Sequence, residues 1–68
     1  MTTRVQFDVT KEGLELLETT MDLGNIGTKK ECINKALSFF FWALNEKKLG
    51  RSICSVDETN NKYKEILL

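Results

Sequence analysis

Two thiols, Cys32 and Cys54, are the side chains of this 68-residue chain best suited to nucleophilic, redox or soft-metal chemistry, and neither is set for it. Their spacing is not that of a metal or redox pair. Cys32 falls inside a helical apolar pattern and Cys54 in an apolar run, the settings of reduced, partly buried thiols. The chain has no His. Two thiolates are too few ligands for a structural zinc site, and no imidazole is available as a general base. No nucleophile motif and no glycine-rich phosphate loop occurs, and a chain this short leaves little volume for a pocket. The sequence is not that of an enzyme and implies no cofactor.

Charge offers a different chemistry. Ten Lys and Arg balance ten Asp and Glu, which weighs against a strong grip on a polyanion through charge alone. The charges are nevertheless sorted. Glu12, Glu15, Glu18 and Asp22 load one stretch with acid, Lys29, Lys30 and Lys35 open the next, and Lys47, Lys48 and Arg51 close it. A bipolar surface of this kind can present one basic face.

The elements that position these groups follow from periodicity. Arg4-Val5-Gln6-Phe7-Asp8-Val9 alternates polar and apolar, the period of a half-buried strand with Val5, Phe7 and Val9 inward and Arg4, Gln6 and Asp8 outward. Thr10 then fits a helix N-cap. Lys11 to Leu23 carries Leu14, Leu17 and Met21 at helical spacing, widened by Leu16 and Leu23, with Gly13 softening the first turn. Gly24-Asn25-Ile26-Gly27 is a turn, with Gly24 placed for the left-handed conformation that ends a helix. Thr28 followed by Glu31 is a capping box, the clearest local signal in the chain. A second, longer helix runs from Lys29 to about Lys48, where Ile33, Ala36, Leu37, Phe40, Phe41 and Leu44 form one broad apolar face. Phe39 and Trp42 project from another side, continued by Leu49. Gly50 ends this helix. Arg51–Asp57 and Lys62–Leu68 flank the turn residues Glu58-Thr59-Asn60-Asn61 and predict a C-terminal hairpin. Its apolar residues Ile53, Val56, Tyr63, Ile66 and Leu67 are expected to fold over Phe39 and Trp42; failing that, those rings mark a partner surface.

Size then constrains assembly. A monomer of this length buries only about 60% of its unfolded surface. Disulfides, a metal or a second chain are the usual remedies, and the residues leave the second chain. A lone first strand has no sheet to join, whereas pairing it antiparallel with its own copy satisfies both edges. The apolar 41% of the chain is ample for a core shared between two copies.

The order of these elements resembles the ribbon-helix-helix family of the MetJ/Arc/CopG type. The residues that carry the resemblance are Arg4-Val5-Gln6-Phe7-Asp8-Val9-Thr10, then Gly24-Asn25-Ile26-Gly27-Thr28-Lys29-Lys30-Glu31-Cys32-Ile33 and Ala36-Leu37, across about residues 3–46. The pattern is an order of elements with loose residue preferences. It implies a mainly α fold with a short β ribbon, a β-α-α chain intertwined as a homodimer, with residues 1–48 forming that domain and 49–68 an extension. The implied dimer core is Val5, Phe7, Val9, Leu14, Leu17, Ile33, Ala36, Leu37, Phe40 and Leu44. The implied partner is double-stranded DNA, whose major groove admits a two-stranded ribbon. Arg4, Gln6 and Asp8 would read bases, Arg suiting guanine and Gln adenine. Thr28, Lys29 and Lys30 would hold a phosphate at the N-terminus of the second helix, where free N–H groups attract anions and two cations otherwise oppose the helix dipole. Asp8 departs from the family, many members of which carry a basic or amide residue there; a carboxylate can accept from cytosine N4 but repels phosphate.

Three functions follow as expectations: a repressor of a nearby operon, with room for higher assembly on DNA; an antitoxin whose tail binds a toxin; or a dimeric protein-interaction module without DNA binding. In the last two, the C-terminal segment or the Phe39 and Trp42 face meets the protein partner. With no signal peptide and no apolar stretch of membrane-spanning length, a cytoplasmic location off the membrane is expected.

Overall fold

The computed structural model describes residues 2–68. Its elements are α1 (Lys11–Gly24), α2 (Lys29–Lys48), β1 (Ile53–Asp57) and β2 (Lys62–Ile66). The chain is mainly helical and closes on a two-stranded antiparallel sheet. Among the described residues these are the two strands, so the order is α-α-β-β and not the expected β-α-α. Residues 2–10 adopt neither helix nor strand. A strand exists only through its ladder, and a single chain gives residues 4–9 nothing to pair with.

Each helix is delimited by side chains. Thr10 is extended, with φ −71° and ψ 168°, and its Oγ1 accepts from the Gly13 N–H at 3.0 Å while its carbonyl accepts from Leu14 at 2.9 Å. The first turn of α1 is thereby capped. At the other end the left-handed residue is Asn25, with φ 53° and ψ 48°, and not Gly24. The Asn25 N–H donates to the Asp22 carbonyl at 3.3 Å and the Ile26 N–H to the Met21 carbonyl at 2.8 Å, a Schellman closure. Gly24 stays helical and has another use: a Cβ there would come within 3.0 Å of Ile26 Cδ1, which folds back over it. Asn is one of the few residues besides Gly that visits this region routinely.

Thr28 caps α2, its Oγ1 accepting from the Glu31 N–H at 3.1 Å and its carbonyl from Cys32 at 3.1 Å. Among the described residues the returning bond from the Glu31 carboxylate is not formed, so half of the capping box is made. Thr28→Ala should therefore cost about 1 kcal/mol, read as a lower midpoint in urea with unchanged helix content at low denaturant; an unchanged midpoint would show that the cap is dispensable. Gly50, at φ +80°, ends α2. Its N–H donates to the Lys47 carbonyl at 3.0 Å and that of Arg51 to Glu46 at 3.0 Å, a second Schellman closure. The Arg51 guanidinium also meets the Glu46 carboxylate at 2.9 Å. Lys47 and Lys48 lie in the last turn, where the dipole favours cations.

The hairpin pairs Ile53 with Ile66, Cys54 with Glu65, Ser55 with Lys64, Val56 with Tyr63 and Asp57 with Lys62. Alternation places Cys54, Val56, Tyr63 and Glu65 on one face. Asn61, at φ 52°, supplies the left-handed step of the turn. The Asp57 carboxylate braces it, accepting from Asn60 Nδ2 at 2.7 Å and from the Asn60 N–H at 3.3 Å. The Asn60 side-chain bond first, then the Asn60 and Thr59 N–H groups, hold the Asp57 carboxyl below its ordinary 3.8. A carboxyl lowered on folding contributes stability above its unfolded pKa and loses it as pH falls through the folded value. The turn should thus be fully braced above pH 3.8 and loosen below it, seen as faster amide exchange at Thr59 and Asn60. Asp57→Asn should remove that pH dependence.

The chain divides into two units, Met1–Asn34 and Lys35–Leu68. In the first, Cys32 is buried at 3% exposure, with Leu14, Leu17, Met21, Ile26 and Ile33 half-buried. In the second, Ala43 is buried at 2%, with Ile53 and Glu46 half-buried. Both thiols are free; Cys32 is buried, but Cys54 is exposed on the hairpin, because a two-stranded sheet has no layer to cover that face. The expected cover over the α2 rings is also not made within one chain. Phe39 is 64% exposed and Trp42 48%, their centroids 5.6 Å apart. The hairpin is tied to the last turn of α2 through Lys47 Nζ, which donates to the Leu68 carbonyl, and Lys47 shares a small pocket with Ile53, Ile66 and Leu68. No helix among the described residues is long and apolar enough to cross a membrane.

Candidate nucleic-acid interface

The first candidate group, Arg4, Gln6 and Asp8, lies on the segment that runs into α1. All three are exposed, and so are the apolar residues that alternate with them: Val5 76%, Phe7 62% and Val9 51%. Among the described residues no main-chain hydrogen bond reaches residues 2–9. This stretch therefore offers free N–H and C=O groups, an uncovered apolar set and a polar set in strict alternation. Arg contributes a fork of donors, Gln a donor and an acceptor, and Asp acceptors alone. Such a mixture can recognise a patterned hydrogen-bonding surface.

The segment is fixed where it meets the helix. A Cβ on Gly13 would lie 3.3 Å from Thr10 Oγ1 and 3.6 Å from Val9 Cβ. The sequence marks Gly13 only as a soft helical position. Its structural use is to let the incoming chain press on the first turn, and the available signal is its place three residues after the capping Thr10.

The second group, Thr28, Lys29 and Lys30, opens α2, and all three are exposed. The Thr28 oxygen accepts from Glu31, which leaves its hydroxyl proton to donate elsewhere. With the first-turn N–H groups and two ammonium groups, this end is suited to an anion. Glu18 and Asp22 share a shallow groove with Lys29 beside Met21 and Ile26, so acidic groups flank this end of the helix. Among the described residues, no hydrogen bond or ion pair joins the two candidate groups. The expected core residues Leu14, Leu17 and Ile33 are half-buried, while Ala36, Leu37, Phe40 and Leu44 remain exposed in the single chain. No cluster of three or more His, Cys, Asp or Glu able to hold a metal occurs among the described residues.

The chain matches no protein-family model, no curated protein and no solved structure.

Proposed function

We propose that this chain is a sequence-specific DNA-binding regulator, a repressor, acting as an intertwined ribbon-helix-helix homodimer. Residues 4–9 of two copies pair antiparallel, bury Val5, Phe7 and Val9 against the helices and turn Arg4, Gln6 and Asp8 toward base edges. Thr28, Lys29 and Lys30 of each copy hold flanking phosphates, contacts that set the register without reading sequence. The observation that carries this reading is the state of the segment before α1: alternating, unpaired, with Val5 at 76% exposure, and leading without a break into a capped helix. Pairing with a second copy satisfies the main-chain groups on the facing edge and covers that apolar set in one step.

A dimeric protein-interaction module is the second reading, supported by Asp8 and the balance of ten cationic against ten anionic residues. Anisotropy titrations with a duplex from upstream of the protein's own gene and with a scrambled duplex, each across a salt series, separate the two. The repressor reading expects tighter binding to the first duplex. Two lysines per copy at phosphates give a log–log salt slope on the order of −3 to −4. Equal, weak binding to both duplexes would favour the interaction module.

A further inference from the structure

We propose that the free edge of β1 is a self-association surface: it pairs antiparallel with the β1 edge of a second copy, centred on Cys54, and joins the two hairpins into one continuous sheet. This goes beyond the ribbon reading and rests neither on residues 4–9 nor on DNA.

The sheet consists of β1 and β2 alone, so among the described residues each strand has one edge without a ladder. Along such an edge every second residue turns its N–H and C=O outward, a template for another strand. A two-stranded hairpin by itself is also marginal in water, and further strands remedy that. The two edges differ. β2 reads Lys62-Tyr63-Lys64-Glu65-Ile66, and charged side chains, Lys above all, keep edges from pairing. β1 reads Ile53-Cys54-Ser55-Val56-Asp57, uncharged before Asp57, with two β-branched apolar residues and neither Lys nor Pro. The chain guards one edge and leaves the other open.

Register decides what takes the open edge. When a strand pairs antiparallel with its own copy, residues equally far before and after the central residue meet. For β2, a centre at Lys62, Lys64 or Glu65 sets like charges face to face, and a centre at Tyr63 sets Lys62 against Lys64 twice. Like charges directly opposite are destabilising. For β1, a centre at Ser55 sets Asp57 against Ile53, a centre at Val56 sets Glu58 against Cys54, and a centre at Ile53 runs Asp57 out to Leu49. With Cys54 at the centre, Ile53 meets Ser55, Ser52 meets Val56, and Arg51 meets Asp57 on both sides of the axis. That is an opposite-charge pair made twice, a favourable cross-strand contact. Arg51 touches Glu46 through Nη1 and, with its side chain 65% exposed, has the rest of its fork to offer. Pairing of like edges also closes on itself. A β1 edge set on the β2 edge of another copy would leave a free edge at either end and run on as an open stack.

Cys54 lies on the proposed axis and its thiol is free and exposed, so cross-linking reads the register. In a Cys32→Ala background, diamide takes up two electrons and two protons as two thiols become a disulfide. It should carry most of the chain to twice its mass on a non-reducing gel, and little linking through Cys54 overturns the proposal. With Cys54→Ser added, chains bearing Ser52→Cys and chains bearing Val56→Cys should link to each other and only slowly to themselves. Val56→Cys chains that link to themselves as fast as to Ser52→Cys chains overturn it too. Amide exchange on the unmodified protein gives a readout free of substitutions. In a lone hairpin alternate amides of both strands exchange fast; here Cys54, Ser55 and Val56 should all be slow while β2 keeps its alternation. Alternation on both strands overturns the proposal. A protected β1 without linking through Cys54 assigns the edge to another occupant, such as residues 4–9, and overturns it equally. No substitution here touches residues 4–9, so failure of the ribbon and failure of the hairpin pairing are read separately.

Discussion

Phe7→Ala is expected to turn a folded dimer into a largely unfolded chain at micromolar concentration. Phe7 occupies the centre of the alternating segment and is 62% exposed in a single chain. If the ribbon forms, that ring becomes core. Removing a core Phe costs about 3–5 kcal/mol, and two-fold symmetry removes it twice, so the dimer loses about 6–10 kcal/mol. Total stability for a small protein is about 5–15 kcal/mol. Circular dichroism and sedimentation velocity on the variant check this. The wild-type unfolding midpoint should itself rise with protein concentration, as mass action requires for a folded state that exists only as a dimer. A Phe7→Ala protein with wild-type midpoint and mass would exclude residues 4–9 from the core.

The double substitution Arg4→Ala, Gln6→Ala should do the reverse, leaving the dimer intact while erasing its preference for one duplex. These side chains alternate with Val5, Phe7 and Val9 and are exposed, so their removal takes nothing from the apolar set. A good bidentate contact to a base is worth about 1–3 kcal/mol, and a symmetric dimer makes each contact twice. Specific affinity should fall at least about a thousandfold, to that of an unrelated duplex. The salt slope should change by no more than the share of Arg4, because the lysines at α2 remain. Tight, duplex-selective binding by this variant would move base reading to other residues.

Local signals in the sequence proved strong where one chain holds everything an element needs. Thr10 and Thr28 mark both helix starts, Gly50 marks the end of α2, and the Glu58–Asn61 turn sits between the two strands. These features depend on side chains bonding within a few residues of themselves. The left-handed position after α1 was misplaced by one residue, since Gly24 and Asn25 can both adopt it and the choice is made by Ile26 folding over the position without a Cβ. What periodicity could not decide is cover. Phe39, Trp42 and Val56 have the spacing of buried residues and are exposed, because apolar spacing reports that a face needs covering and not which chain covers it. The segment 4–9 shows the same limit at the main chain: its alternation is plain, but the ladder it calls for has no partner within the described residues. For the candidate site, the sequence singles out Arg4, Gln6, Asp8 and Thr28–Lys30, and the structure adds the role of Gly13.

Val9 and Thr10 lie close over Gly13, where the segment before α1 joins the helix. Val9 and Thr10 seat on the first turn of α1, so the helix sets the direction in which the preceding segment leaves it. A larger side chain at position 13 would swing that exit away from the helix, and with it the line along which two copies would meet in the proposed ribbon.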